Sequence, residues 1–191
     1  MQRTDAILEF WFGKSDDDGF GQPQMIWFAA DEARDADVRR LFVTDFEAAA
    51  AGQLTNWETT PQGALALILL LDQCSNNIFR ANVRAFETDS RAREVARRAI
   101  ERGFDQQFPD VHRWFFYLPL EHSEDAADQQ LSVELFGGLA PTQANQMALD
   151  YAVRHQRVIT RFGRFPNRNA ALGRESTAEE LEFLAGPDAP F

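Results

Sequence analysis

Apolar residues recur every three or four positions through most of the chain, and no sustained β-branched alternation competes with that period. This recurrence is typical of amphipathic α-helices, whereas a half-buried strand alternates every second residue. We therefore predict an all-α fold with about 8–10 helices and no significant sheet. The length of 191 residues suits a single domain that covers residues 1–191.

Capping residues mark where these helices begin. Thr4 and Thr88 are the expected N-caps of two helices, and Pro61 and Pro141 are expected to open two others. The predicted helices cover 4–12, 31–51, 62–73, 88–102, a segment from 109 that is interrupted at Pro119, a segment from Ser123 or Asp125 to 136, 141–162, and a last helix after 176.

The last helix is predicted from a capping box. Ser176 and Glu179 have the spacing at which a hydroxyl and a carboxylate cap each other's backbone N–H groups. This register places Leu181, Phe183 and Leu184 on the buried face of the helix.

Two stretches of the chain correspond to each other at an offset of about 50 residues, longer than the 34 of a tetratricopeptide unit. The corresponding residues are Gly52, Pro61 and Asp72 in the first stretch and Gly103, Pro109 and Glu121 in the second. In each, a helix ends at glycine and a second, apolar helix ends at an acid. The correspondence is either accidental or the trace of a degenerate stack of helical hairpins.

The net charge of −11 and the single cysteine exclude several classes of protein. A nucleic-acid partner requires a basic surface. Cys74 alone forms no intramolecular disulfide and leaves most thiolate zinc sites without ligands. Asp5 and Glu9 interrupt the apolar stretch of a signal peptide, and the longest aliphatic run, 64–71, is shorter than the roughly 20 residues of a membrane span. We expect a cytoplasmic protein without nucleic-acid or membrane partners.

Most catalytic signatures are absent from the sequence. It contains no G-x-x-x-x-G-K-[ST] loop, no G-x-G-x-x-G, no G-x-S-x-G elbow and no H-E-x-x-H. With three histidines and one cysteine, a transition-metal site would use almost every soft ligand in the chain. We therefore predict no metal and no cofactor.

Six arginines and no acid lie between Arg154 and Arg174. One interpretation is internal ion pairing with the acids at 16–18 or within 31–37. The other is an anion site, because the guanidinium fork matches carboxylate and phosphate geometry.

Three polar stretches, 72–80, 121–125 and 161–169, follow predicted apolar helices. Their ordinary interpretations are a helix C-terminus with a turn, a kink after Pro119, and a connecting loop. His155 links them, because the inward stripe of the 141–162 helix contains it together with Met147 and Tyr151. A buried imidazole needs a hydrogen-bond partner, and Asp72 or Glu121 near His155 or His122 would form a carboxylate–imidazole cluster.

Several segments in sequence order resemble the bacterial family called domain of unknown function 924. The segments are Ile7–Gly13, Leu65–Gln73, Tyr117–Asp125, Arg161–Asn169, Leu172–Arg174 and Ser176–Glu180. The resemblance covers nearly the whole chain and implies a tetratricopeptide-like stack of antiparallel helical hairpins. It implies no established activity. Cys74 and Asn76 stand where family members have phenylalanine and arginine, so a role that depends on stacking or charge there is in doubt.

Three functions are compatible with the sequence. The first is a binding module whose polar groove takes a small anion or a peptide. The second is a small-molecule, hydrolase-like enzyme that combines carboxylate–histidine acid–base chemistry with arginine stabilisation of an oxyanion. The third is a purely structural polar cluster. The candidate catalytic residues are Glu121, His122 and His155, and the ligand-binding candidates are Asp72, Asn77, Arg80, Ser123, Arg164, Arg168 and Asn169. Ser75 and Ser123 are candidate nucleophiles.

Overall fold

A computed structural model describes residues 2–80 and 82–186 of the chain. These residues form helices and connecting loops with no β-strand among them, which confirms the all-α class. In chain order the helices are α1 (Arg3–Phe12), α2 (Glu32–Ala50), α3 (Pro61–Ile68), α4 (Ser75–Ile78), α5 (Asp89–Glu101), α6 (Asp110–Glu121), α7 (Ala126–Gly137), α8 (Gln143–Phe162) and α9 (Ala178–Leu184).

The core is built around α3 and the helical turn that follows it. Every residue from Ala64 to Leu71 is at most 1% exposed, as expected for a helix that is apolar all round. Helix α3 packs against α1, α5 and α6, and α6 packs against α7 and α8. Within the described ranges, no helix is long and apolar enough to cross a membrane.

Two predicted helix boundaries near the first and sixth helices are wrong. Thr4 lies inside α1, because the Asp5 carboxylate accepts a hydrogen bond from the backbone N–H of Gln2 at 3.1 Å and the helix starts earlier. Pro119 does not interrupt α6, which continues to Glu121. Pro119 lies in the last turn, so the helix has only two further residues to accommodate after the hydrogen bond that the proline cannot donate.

The predicted capping box of the last helix is one residue out of register. The Thr177 hydroxyl accepts from the Glu180 N–H at 3.2 Å, and the Glu180 carboxylate accepts from the Thr177 N–H at 2.7 Å. This register turns Glu180 inward and leaves Leu181 57% exposed, so the prediction that Leu181 is buried is wrong. Phe183 and Leu184 are partly buried.

The inward stripe of α8 is narrower than predicted. Ala152, His155 and Val158 are buried, but Met147 is 51% and Tyr151 46% exposed. The helix also begins later than Pro141, since the Thr142 hydroxyl caps it by accepting from the N–H of Asn145 at 3.1 Å.

Candidate functional site

Asp72 and His122 form a buried carboxylate–imidazole dyad. Nδ1 of His122 lies 2.8 Å from Oδ1 of Asp72. The Asp72 side chain is 1% exposed and that of His122 is 21% exposed, so the carboxylate is shielded while the imidazole reaches solvent. The second carboxylate oxygen, Oδ2, accepts from the amide of Gln73 at 2.7 Å. Asp72 is therefore held in a single orientation behind the histidine.

A π-helical turn over Leu69–Cys74 carries Asp72. π-helical turns are rare and frequently occur at functional sites. Side chains bond two carbonyls of this turn: the Thr88 hydroxyl donates to Leu71 O at 2.6 Å, and Asp72 O accepts from Ser75 Oγ and from Asn76 Nδ2. Thr88 precedes α5, as predicted for its N-cap, but its side chain makes no capping hydrogen bond. Its hydroxyl bonds the π-helical turn instead. The short polar residues after Asp72 satisfy backbone groups, as the ordinary interpretation of 72–80 predicts.

Glu121 and His155 form a second dyad beside the first. Oε1 of Glu121 lies 3.0 Å from Nδ1 of His155, which also lies 2.9 Å from the backbone oxygen of Tyr151. The rings of His122 and His155 have centroids 6.2 Å apart, and Phe165 meets the His155 ring edge to face at 5.5 Å. Glu121 ends α6 and His122 follows it directly, so one helix terminus supplies a member of each dyad.

Gln129 of α7 fixes that terminus of α6. It is 0% exposed, and its amide nitrogen donates to the carbonyls of Glu121 at 2.5 Å and Ser123 at 2.7 Å, with a longer bond to Leu120 at 3.4 Å. Carbonyls at a helix C-terminus have no partner within the helix. Gln129 supplies those partners on both sides of His122.

Arg168 and Asp89 complete the cluster. Nη1 of Arg168 donates to Oδ2 of Asp89 at 3.0 Å, and the guanidinium carbon lies 4.8 Å from the ring centres of both Phe86 and Phe165. Burial raises the pKa of Asp89 to about 6, with Arg168 opposing the shift and Asp72 adding to it. Asp89 is therefore close enough to the first dyad to be affected by its charge.

Three carboxylates, those of Asp72, Asp89 and Glu121, share this region with the guanidinium of Arg168. Burial alone would lower the pKa of His122, but the charge and hydrogen bond of Asp72 outweigh burial, so the pKa of His122 is raised. The negative charge of the cluster thus favours the protonated, cationic form of the His122 imidazole.

His112 is the third histidine and lies elsewhere, in the core. Its ring stacks on Phe12 with centroids 3.9 Å apart, and burial lowers its pKa to about 4. In the described ranges, no group of three or more histidine, cysteine or acidic side chains has the arrangement of a metal site.

The predicted ligand residues divide among several places. Arg168 joins the dyads, whereas Ser123 donates to Asp128 at 2.6 Å and accepts from Arg93 at 2.9 Å. Arg164 and Asn169 both bond the inward carboxylate of Glu180, at 2.6 Å and 3.2 Å. Asn77 and Arg80 both bond Asp35 of α2, at 2.7 Å and 2.6 Å for their shortest contacts.

The arginine-rich segment pairs internally, but with different acids from those expected at 16–18 and within 31–37. The observed pairs are Arg161 with Glu179, Arg164 with Glu180, Arg168 with Asp89 and Arg174 with Glu124. Each partner lies in a segment that the tertiary fold brings alongside, so spacing along the sequence does not reveal it.

Asp89, Gln129 and Phe165 are the cluster residues that the sequence did not indicate. Asp89 opens α5, where an acid is ordinary, and its partner Arg168 lies 79 positions away. Gln129 stands in the first turns of α7 without any unusual neighbour. Only Phe165 lies within a stretch singled out as unusual, 161–169.

Comparison with known proteins gives a family for the chain. The sequence profile described as "Bacterial protein of unknown function (DUF924)" matches residues 7–188. This protein belongs to the DUF924 family. A solved structure described as a protein of unknown function, ATU0120 from Agrobacterium tumefaciens, is 38% identical, with 95% of this chain and 96% of that chain covered and a TM-score of 0.84. No curated protein matches the DUF924 chain.

Two departures of this DUF924 chain from the expected family pattern lie at its π-helical turn. Cys74 is fully buried, and burial raises the pKa of its thiol above the usual range. Asn76 donates to Asp72 O at 2.8 Å. At these positions the side chains pack or bond the backbone, and Asp72 keeps its contact with His122.

Proposed function

We propose that this DUF924 protein is a small-molecule enzyme whose acid–base centre is the Asp72–His122 dyad, assisted by the Glu121–His155 dyad. The observation that carries the proposal is the orientation of His122. Its Nδ1 faces a buried carboxylate at 2.8 Å. Its Nε2 makes no hydrogen bond to any described residue and is not sealed from solvent.

This orientation is the one that acid–base catalysis requires. Because the Asp72 carboxylate accepts a hydrogen bond from Nδ1–H, the neutral ring presents a lone pair at Nε2 and acts as a general base. When Nε2 takes a proton, the Asp72 carboxylate stabilises the imidazolium without being protonated itself. The pKa of His122, raised by Asp72, makes the ring a stronger base than free imidazole.

Water is the nucleophile in the hydrolytic form of this proposal. The two candidate serines are occupied elsewhere: Ser75 donates to Asp72 O, and Ser123 donates to Asp128. A water molecule gives a proton to Nε2 of His122 while its oxygen bonds to an acyl carbon, and the electron pair of the C=O π bond moves to the carbonyl oxygen. The π bond then re-forms as the bond from the acyl carbon to the leaving oxygen or sulfur breaks, and the imidazolium returns its proton to that leaving atom.

The charge of the cluster favours a neutral or cationic substrate. Arg168 is a cation whose charge acts on His122, and it is already bound to Asp89 at 3.0 Å. Asp72 and Glu121 would repel an anionic substrate that approached the histidines. This proposal therefore differs from the small-anion ligand predicted for the same residues.

Three substrates of different charge test the proposal: p-nitrophenyl acetate and p-nitrophenyl phosphate, which release a coloured phenolate, and acetylthiocholine, whose released thiol is measured with a thiol-specific dye. We expect turnover of the neutral or cationic ester and a loss of about 100-fold in kcat/KM in His122→Gln, the lower end of what general base catalysis contributes. Glu134→Gln, which changes an exposed acid of α7, is the matched control and should keep the wild-type rate.

Equal rates for wild type and His122→Gln on all three substrates, with both proteins folded by circular dichroism, would show that the dyads serve only to hold the helices together. Faster turnover of p-nitrophenyl phosphate than of both esters would overturn the charge argument. Asp72→Asn provides a second variant, and its pH–rate profile should move toward lower pH because its histidine loses the carboxylate that raises its pKa.

We also propose that the hairpins are arranged as in tetratricopeptide proteins. Consecutive packing supports this: α3 contacts α5, α5 contacts α6, α6 contacts α7, and α7 contacts α8. Such stacks present one end of each hairpin along a common edge. Asp72 and Glu121, which end corresponding helices, are then expected on the same edge.

A further inference from the structure

A groove of about 430 Å³ lies between α2 and α4, in a different part of the chain from the histidines. Its charged and amide side chains are Glu32, Asp35, Arg39, Arg40, Asn77 and Arg80. Three guanidinium groups line this groove in a protein of net charge −11. Which ligand the groove can bind depends on which of these charged side chains are already paired with one another.

Asp35 is fully occupied by its neighbours. Its two oxygens accept from Nε of Arg80 at 2.6 Å and Nη2 of Arg80 at 2.7 Å, and Oδ1 also accepts from Asn77 at 2.7 Å. The Arg80 hydrogen bonds hold the pKa of Asp35 below its usual range. Arg80 and Asp35 thus neutralise each other and form the floor of the groove.

Arg39 keeps its positive charge. Its guanidinium donates to the backbone oxygen of Ile78 and lies 5.6 Å from the ring centre of Phe79, and neither partner carries a formal charge. Among the described residues, no carboxylate lies within ion-pair distance of Arg39, although its charge contributes to lowering the pKa of Asp35. Within the part of the chain that the structure describes, Arg40 pairs only with Asp37, and both side chains are more than half exposed, a geometry that contributes little.

We propose that this groove binds a small oxyanion, a phosphate or a carboxylate, at the guanidinium of Arg39, with the guanidinium of Arg40 lining the same groove. Guanidinium groups present a planar fork of donors that matches the oxygens of these anions. Arg39 is oriented for this in advance by Ile78 and Phe79, so little side-chain freedom is lost on binding. Exposed Glu32 at the same groove disfavours ligands with many negative charges.

Isothermal titration calorimetry with sodium phosphate and with sodium succinate tests this site, with sodium chloride balancing the ionic strength. We expect saturable binding of at least one of the two anions and an affinity at least tenfold weaker in Arg39→Gln, because a charge-assisted fork is lost. Arg40→Gln should also weaken binding. Because Arg40 is exposed, this variant should fold normally, so it tests the site even if Arg39→Gln does not fold. The matched control, Arg157→Gln, removes an exposed arginine of α8 and should bind as wild type does.

Equal affinities in Arg39→Gln, Arg40→Gln and Arg157→Gln would refute the site, as would heats no larger than those of added chloride. Binding that disappears in Asp72→Asn or His122→Gln, but persists in both arginine variants, would move the anion to the dyads. Because the groove and the dyads share no residue, failure of either proposal leaves the other standing.

Discussion

Nδ1 of His122 lies 2.8 Å from Oδ1 of Asp72, although the two residues are 50 positions apart. The second dyad repeats the arrangement, because Glu121 also ends an apolar helix and also meets a histidine from a later helix, His155. In both pairs the carboxylate is almost fully buried and the imidazole is more exposed. In each dyad the imidazole therefore lies on the side nearer to solvent, and the buried carboxylate lies behind it.

Replacing Asp72 should change the proton affinity of His122. The carboxylate charge and its hydrogen bond raise the pKa of His122, so in Asp72→Asn that pKa should be lower than in wild type. An NMR titration of the His122 ring C–H resonances measures it. Glu134→Gln, the exposed control on α7, should leave the titration unchanged, and a wild-type pKa in Asp72→Asn would contradict the dyad.

Asp89 should make the protein less stable as pH rises through the weakly acidic range. Its pKa is about 6 in the folded protein against an ordinary 3.8, so between these values the folded state binds a proton that the unfolded state has released. Stability that is present below about pH 4 is then lost by about pH 6, and the loss amounts to at most about 3 kcal/mol at 1.36 kcal/mol per pKa unit.

Urea unfolding of wild type and Asp89→Asn across this pH range measures that loss. The stability of wild type relative to the variant should decrease as pH rises from about 4 to about 6 and level off above it. Asp150→Asn, which alters an exposed acid of α8, should show a constant difference from wild type. A constant difference for Asp89→Asn would mean that Asp89 titrates normally.

Thr88 should stabilise the π-helical turn through a single hydrogen bond. In Thr88→Val the carbonyl of Leu71 loses a bond of 2.6 Å in a buried environment, which should cost about 1–3 kcal/mol of unfolding free energy. Thr59→Val removes an equivalent hydroxyl bond, to Asn56 O at 2.7 Å, on the exposed surface and should cost less than about 0.5 kcal/mol. Equal losses in the two variants, measured by urea unfolding, would argue against a special role for Thr88.

The sequence predicted the helix class, most helix bounds and the principal partners of the cluster. Apolar periodicity sufficed for the class, because each helix buries one face or all of its surface. Asp72, Glu121 and His122 are indicated because they follow apolar helices, and His155 because it lies on the inward stripe of the 141–162 helix. Buried polar groups at such positions require hydrogen-bond partners. These expectations depend on the local apolar pattern and on the need of buried polar groups for hydrogen-bond partners. Both can be judged from the sequence alone.

The exact partners depend on tertiary geometry, which local pattern does not encode. Asn77 and Arg80 are predicted to bind a ligand together with Asp72. They follow the π-helical turn, however, and bond Asp35 of α2 instead. A shift of one residue in the capping box turned Glu180 inward and Leu181 outward. Nothing in the sequence around Asp72 marks the π-helical turn itself.

Gln129 should act as a positioning residue for both dyads. In Gln129→Met, a side chain of similar size no longer donates to the carbonyls of Glu121 and Ser123, which lie on either side of His122. Leaving these buried carbonyls unpaired should cost about 2 kcal/mol of unfolding free energy, because the variant also removes the Gln129 amide oxygen, which is buried without a partner among the described residues. Gln130→Met, which alters the exposed neighbour that bonds Glu134, should cost less than about 0.5 kcal/mol.

The histidine resonances distinguish positioning from general stabilisation. If Gln129 holds the end of α6 in place, Gln129→Met should alter the titration of His122 at temperatures where the variant is still folded, because the ring moves relative to Asp72. Ile7→Ala, a cavity variant of α1 with an expected loss of similar size, serves as the reference for nonspecific loosening. A destabilised Gln129→Met with a wild-type His122 titration would limit Gln129 to helix packing.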